Sequence, residues 1–210
     1  MSQESNSELR CRLEKIISQS LDNWERLISE LASTHPHSIR CLPHEHREPY
    51  TCFESAFELA DSRAYRKIAE SFADWGGRDA ENAPSIFFVN FRFVHFLIGG
   101  RELEEINEGE LKFGDVVVYL DDEDTPQHAG KKAPQEGLIK SKWGRGLFLE
   151  HGLWEVPKRY GNTARFFRSI PTVEAERAFR KFVESQNDSE KFIQSCDLED
   201  CLRELGGDVS

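Results

Sequence analysis

The spacing of apolar residues changes twice along this 210-residue chain, and these changes limit the folds that it can adopt. Up to Ile98 the apolar residues recur mainly every three or four positions, which is typical of amphipathic helices. Between 111 and 169 they form short segments separated by acidic, Gly or Pro turns, which is typical of antiparallel strands. After Pro171 the helical spacing returns. Helices and strands segregated in this way predict an α+β fold and disfavour alternating βαβ units.

The same spacing predicts where individual elements begin and end. One amphipathic helix is expected from 7 to 33, followed by a loop at 34–50 whose three prolines and four histidines exclude a regular element. Thr51 is expected to cap the next helix. Further helices are predicted at 62–75, 86–98, 173–184 and 189–205. Strands are predicted at 111–120, 127–132, 137–143, 147–149 and 164–169, as an antiparallel meander. We expect an N-terminal helical extension (1–40), a central domain (41–170) and C-terminal helices (171–210).

Charge and composition exclude several classes of partner. The chain has 38 acidic and 27 basic residues, a formal net charge of −11, and no basic stripe of the kind that binds nucleic acid. The longest apolar stretch, 85–100, is interrupted by Asn90, Arg92 and His95 and predicts no membrane span. No secretory signal is visible, so a cytoplasmic protein whose five cysteines are thiols is expected.

Cys52 is the strongest candidate for a catalytic residue in this sequence. A helix N-terminus carries unpaired N–H groups and the positive end of the helix dipole, and both favour a thiolate. We therefore expect a lowered pKa for the Cys52 thiol and the highest reactivity among the five cysteines. His128, on a predicted strand of the sheet against which this helix would pack, could accept the thiol proton.

Four short motifs carry a resemblance to a known family. They are Pro49-Tyr50-Thr51-Cys52, Gly114-Asp115-Val116-Val117-Val118-Tyr119, His128-Ala129-Gly130 and Ser141-Lys142-Trp143-Gly144. Over about residues 47–170 the chain resembles the NlpC-like and CHAP-like branch of the papain superfamily. It looks closest to an uncharacterised bacterial subgroup with an Asn-Tyr-Asn-Cys opening and a Ser-Lys-Leu-Gly strand.

The resemblance implies a papain-like thiol hydrolase that cleaves a peptide or amide bond through an acyl-enzyme and needs no cofactor. It implies Cys52 as nucleophile, His128 as base and Tyr50 as part of the oxyanion site. The polar residue that orients the imidazole is open between four candidates. They are Ser141, Lys140, Lys142 and His151. Ser141 is preferred, because a charged lysine cannot accept the imidazole N–H.

Three other interpretations compete with this one. The same fold could serve as a non-catalytic module that binds a protein partner through its terminal helices. Cys41, His44, His46 and Cys52 have the ligand types of a zinc site, but their spacing matches no familiar zinc module, so no metal is expected. Cys52 and His128 could also be ordinary buried residues.

Overall fold

A seven-stranded antiparallel sheet organises this chain in a computed structural model that describes residues 3–19, 23–34, 38–42, 51–68, 89–143 and 147–185. The strands are β1 (Arg40–Leu42), β2 (Glu105–Ile106), β3 (Val116–Leu120), β4 (Pro126–Lys132), β5 (Leu138–Trp143), β6 (Leu147–Gly152) and β7 (Thr163–Phe167). Their order across the sheet is β1-β6-β5-β4-β3-β7-β2. The predicted α+β class is confirmed. Strands β3 to β6 form the predicted meander, whereas β7 crosses back to pair with β3.

The helices are α1 (Gln3–Ile17), α2 (Trp24–Thr34), α3 (Cys52–Ala56), α4 (63–68 in the described part), α5 (Phe91–Gly99) and α6 (Thr172–Glu184). The predicted helices at 86–98 and 173–184 correspond to α5 and α6. The prediction for 62–75 is met by α4 as far as residue 68, and the prediction for 189–205 lies outside the described residues. No helix in these ranges is long and apolar enough to cross a lipid bilayer.

Two predictions near the N-terminus are wrong. The expected single helix at 7–33 is two helices. The first ends at Ile17, and both the N–H and the hydroxyl of the next residue, Ser18, donate to the Glu14 carbonyl. A serine hydroxyl that bonds to the carbonyl four residues back slightly destabilises a helix. The expected loop at 34–50 contains β1, which pairs with β6. A strand of only three residues is too short to produce a visible alternation.

The two faces of the sheet bury separate hydrophobic cores. On one face, Val116, Val118 and Ala129 pack with the side chains of α3 to α6, including Phe93 and Phe179. We call this the α3 face. On the other face, residues of β3, β5 and β6 pack under α1 and α2, and we call it the α1 face. Its sheet residues include Val117, Tyr119, Ile139, Trp143 and Leu149. Successive residues of one strand therefore pack into different hydrophobic cores.

Candidate functional site

Cys52 is the first residue of α3, as the sequence predicts. Thr51 caps the helix: its hydroxyl accepts the Glu54 N–H at 3.0 Å, and the Glu54 carboxylate accepts the Thr51 N–H in return. This reciprocal arrangement is a capping box. The helix packs against β4 and β5, so Cys52 lies on the α3 face.

Backbone N–H groups of three residues act on the Cys52 thiol. They belong to Ala129 on β4 and to Phe53 and Cys52 at the start of α3, and each favours the thiolate. Cys52 keeps partial exposure, but the atoms packed around the sulfur remove most of its hydration. This burial outweighs the N–H groups, and together with the Glu54 charge it raises the pKa of Cys52 to about 11. The predicted lowering of that pKa is therefore wrong, because desolvation exceeds the effect of the helix terminus.

His128 lies on the opposite face of the sheet from Cys52. Its register partner is Tyr119, and side chains directly opposite each other in an antiparallel pair share a face. The imidazole is 1% exposed and stacks on the Tyr160 ring at 4.0 Å between centroids. The next residue, Ala129, contributes to the α3 face. The structure therefore does not bring the predicted nucleophile and base together.

Burial holds the pKa of His128 well below its usual range, and the nearby His151 lowers it further. The Nε2 atom of His128 is buried without a hydrogen-bond partner among the described residues. A neutral imidazole of this kind could accept a proton only at the cost of a buried charge. These features are those of a core histidine.

Ser141 and His151 are hydrogen-bonded to each other on the α1 face. The His151 Nδ1 atom lies 2.8 Å from the Gly152 carbonyl oxygen and so donates to it, which leaves Nε2 to accept the Ser141 hydroxyl at 2.8 Å. The indole N–H of Trp143 donates to the same hydroxyl at 3.0 Å. Burial lowers the pKa of His151 to about 4. The predicted orienting residue Ser141 thus serves a second imidazole, away from Cys52.

The remaining candidates named from the sequence are divided between the part of the chain that the structure does not describe and the α1 face. Tyr50, His44 and His46 lie outside the described residues. Cys41 pairs in register with Leu149 and packs on the α1 face, opposite Cys52. Within the described ranges, no group of three or more His, Cys, Asp or Glu side chains could hold a metal ion.

Lys142 is a buried ionisable residue that the sheet places on the Cys52 side. It alternates with Ser141 and Trp143 along β5, so its side chain enters the α3 face, where it is 0% exposed. Burial lowers the pKa of its ammonium, and the charges of Cys52 and Glu54 oppose that shift. Lys142 was one of four open candidates in the sequence. Sequence spacing alone did not separate it from Lys140, which is exposed.

A buried carboxylate completes this group, and sequence reasoning missed it. Glu54 is 7% exposed and accepts the Tyr65 hydroxyl at 2.6 Å. Tyr65 in turn accepts the Val89 N–H at 3.2 Å. The Thr51-x-x-Glu54 spacing predicts a capping box. It does not reveal that the same carboxylate is buried and binds Tyr65. We refer to Cys52, Lys142 and Glu54 as the Cys–Lys–Glu group.

A groove of about 990 Å³ opens on the α3 face, and none of Cys52, Lys142 and Glu54 lines it. Ser55 and Glu58 of the α3 region line one side, and Lys140 and Phe148 lie on the sheet side. The Lys140 ammonium sits 4.5 Å from the centre of the Phe148 ring. Ser55 is less than one helical turn beyond Cys52, so the groove approaches the start of the helix.

Comparison with known proteins gives one match. Residues 80–168 match a family described as a domain of unknown function, DUF7689. The matched range includes His128, Ser141, Lys142 and His151, and it begins after Cys52 and Glu54. No curated protein and no solved structure matches this chain.

Proposed function

We propose that the chain is a cysteine-dependent amide hydrolase of papain-like type, with Cys52 as nucleophile and Lys142 as its proton partner. The observation that carries the proposal is the surroundings of the Cys52 sulfur. Backbone N–H groups of Ala129, Phe53 and Cys52 itself favour its thiolate, and a buried ammonium shares its face of the sheet. Backbone N–H groups at such a position can stabilise a thiolate, and those aimed at the carbonyl oxygen can stabilise the oxyanion formed by attack.

The reaction follows from these groups. Loss of one proton from the Cys52–Lys142 pair leaves a thiol beside a neutral Lys142 amine, because burial raises the pKa of Cys52 and lowers that of Lys142. The amine then takes the thiol proton, which yields a thiolate beside an ammonium. The thiolate attacks the amide carbon, and the Lys142 ammonium gives its proton to the departing nitrogen, so that an acyl-thioester and a free amine result. The neutral Lys142 amine then takes a proton from water, which hydrolyses the thioester and restores the thiol.

The raised pKa of Cys52 makes this proposal dependent on pH. With a pKa of about 11, only a small fraction of the thiol is ionised at pH 7. Reaction at Cys52 should therefore accelerate as the pH rises, by about tenfold per unit while the thiolate remains the minor form.

Acylation by 4-nitrophenyl acetate tests the proposal without knowledge of the natural substrate. The folded chain should acquire one acetyl group on Cys52, located by peptide mapping, and should turn over acylated amino acid 4-nitroanilides. Cys52→Ala should abolish both. Lys142→Met should reduce turnover by about 100-fold or more, the usual contribution of a positioned acid–base group.

Two matched variants serve as controls. Cys11→Ala removes another partly exposed thiol, on α1, and His128→Phe removes the imidazole on the far face. Neither should reduce turnover. Full activity in Cys52→Ala would contradict the proposal, and loss of activity in His128→Phe with an intact fold would restore His128 as the base.

A second candidate function is a non-catalytic binding module on the same fold. The observation that favours it is the resting state of Cys52, a desolvated thiol whose pKa burial raises to about 11. A module of this kind predicts no acetyl group on Cys52 and no turnover even at pH 9, in a protein that melts cooperatively.

A further inference from the structure

Four charged residues form a row across the α3 face, one on each of the strands β1, β6, β5 and β4. In order they are Arg40, Glu150, Lys140 and Lys131, and each is the register partner of the next. Side chains directly opposite each other in this way lie close enough to interact. The row runs along the groove of about 990 Å³, which Glu150, Lys140 and Lys131 line.

Two ion pairs neutralise three members of this row. The Arg40 guanidinium donates to the Glu150 carboxylate through Nε at 2.6 Å and also through Nη2, and Glu150 is 5% exposed. The Lys131 ammonium donates to the carboxylate of Glu58. Glu150 therefore adds little net negative charge to the groove, because the guanidinium bonds to it directly.

Lys140 is the remaining member of the row. It is exposed, and among the described residues it takes part in no ion pair. Its ammonium instead lies 4.5 Å from the centre of the Phe148 ring, a cation–π contact that places the charge on the sheet side of the groove without cancelling it. A ligand carboxylate could therefore bind this ammonium without displacing a carboxylate of the protein.

The other charged residues of the groove are consistent with an anionic ligand. The Lys132 ammonium donates to the backbone carbonyls of Ala133 and Gln135, at 2.8 and 2.5 Å, and these carry no net charge. Asp61, between α3 and α4, is exposed and is the one further carboxylate among the described lining residues. Three lining lysines and Arg40 thus face three carboxylates, in a chain whose formal net charge is −11.

Apolar side chains lie in the same groove as the Lys140 ammonium. Leu42 and Phe148 are register partners on the sheet side, and the Phe113 ring, also in the lining, is 73% exposed. Ser55 and Thr172 add hydroxyl groups that can bond to an amide. Apolar walls with a few polar groups are typical of sites that bind small molecules or short peptide ends.

We propose that this groove binds the C-terminal end of a peptide whose last side chain is apolar. The carboxylate binds the Lys140 ammonium, the apolar side chain packs on Phe148 and Leu42, and the hydroxyls of the groove suit the peptide amide. The inference goes beyond the proposed hydrolase function and does not depend on it, because no member of the Cys–Lys–Glu group lines the groove.

N-acetylphenylalanine and N-acetylphenylalaninamide test the proposal, because they share ring and acyl group and differ in the carboxylate. Titration of the full chain at pH 7.5, followed by its backbone amide NMR signals, is the measurement. The acid should shift the signals of Lys140 and Phe148. It should bind about 5-fold more tightly than the amide, as expected for one charge pair at an exposed site.

Lysine variants assign this preference to one ammonium. Lys140→Met should bind the acid and the amide equally, whereas Lys140→Arg, which retains the charge, should keep the preference. Lys158→Met is the matched control, since it makes the same chemical change at an exposed lysine that does not line the groove. It should bind both probes as the parent chain does, and thermal melts check that each variant is folded.

Hexanoate distinguishes a peptide end from a fatty acid, because it carries a carboxylate and an apolar chain but no amide. It should bind more weakly than N-acetylphenylalanine. Tighter binding of hexanoate would assign the groove to fatty acids and would overturn the inference.

No binding of the acid, equal affinity of the parent chain for acid and amide, or a preference that survives in Lys140→Met would also overturn it. These outcomes are separate from the acylation test of Cys52. Since 4-nitrophenyl acetate carries no carboxylate, it could acylate Cys52 in a protein that binds neither probe. Conversely, Cys52→Ala should bind both probes as the parent chain does.

Discussion

At the scale of single residues, the most unusual group is the His128 imidazole. Its Nε2 atom is buried without a described partner, and its ring stacks on Tyr160 and lies tilted against Tyr119. Leaving a buried polar atom unsatisfied costs about 1–3 kcal/mol, which an apolar replacement of similar shape avoids. The stacking therefore contributes more to this position than the nitrogen does.

We expect His128→Phe to keep the free energy of unfolding at pH 7 within about 1 kcal/mol of the parent value, because ring stacking remains and the unsatisfied atom is gone. The variant should also resist acid better. In the fold the pKa of His128 lies below the unfolded value of about 6.5, so protons favour the unfolded chain as the pH falls below that value.

Urea unfolding at pH 7 and pH 4.5 measures both effects. His151 contributes in the same direction, since its pKa falls to about 4, and this amounts to about 3 kcal/mol of lost stability at pH 4. Part of the acid sensitivity should therefore remain in His128→Phe.

The residues of the candidate site could be predicted only in part. Cys52 at a helix start follows from local chemistry, a preceding proline and a capping threonine, and such signals are readable in sequence. The partner of Cys52 depends on which face of β4 each side chain enters. That depends on register, which one sequence does not reveal for a strand buried on both faces. For this reason His128 lies on the α1 face, whereas Lys142 lies on the α3 face with Cys52.

At the scale of elements, α3 is a five-residue helix that could not persist alone. The capping box and the packing on β4 and β5 hold it in place. The Thr51 hydroxyl makes two contacts, because it accepts the Glu54 N–H and donates to the Val89 carbonyl at 3.0 Å. It thus joins the start of α3 to the chain before α5.

Thr51→Ala should therefore lower the free energy of unfolding by about 1 kcal/mol, the usual cost of losing an N-cap side chain. Thr51→Ser keeps the hydroxyl and should stay within about 0.5 kcal/mol of the parent. Chemical denaturation of the three proteins measures the difference. Equal stability of the alanine and serine variants would show that packing alone holds the helix.

Element prediction succeeded where a pattern was long enough to be read. The strands from β3 to β7 lie within a few residues of their predicted positions, since acidic and Gly turns separate them. The break between α1 and α2 was missed because apolar spacing continues across it. The spacing of apolar residues therefore gives no signal for the end of α1 at Ile17.

At the scale of the whole molecule, the sheet needs cover on both faces. Tyr119 and Trp143 are fully buried on the α1 face, together with Val117. The helices α1 and α2 supply Leu13 and Ile28 to the same core. The predicted N-terminal extension shares a hydrophobic core with the sheet of the predicted central domain.

Deletion of residues 1–37 should accordingly abolish cooperative thermal unfolding, because it uncovers large apolar side chains that the sheet cannot bury elsewhere. Circular dichroism melts and binding of a hydrophobic dye measure the loss. A truncated chain that still melts sharply and binds no dye would show that the first 37 residues are an independent addition.

Strand β4 has a consequence for how this chain can diverge in evolution. Positions 129 and 131 contact the α3 side through the Cys52 sulfur and the Glu58 carboxylate, whereas 128 and 130 contact Tyr160 and Ile139 on the other side. Neighbouring residues of this short strand are thus under unrelated packing constraints. Replacements at 129 and 131 should be inherited together with changes in α3, and those at 128 and 130 with changes under the N-terminal helices. A histidine conserved at position 128 in descendants of this chain would therefore reflect packing in a hydrophobic core and not a catalytic role.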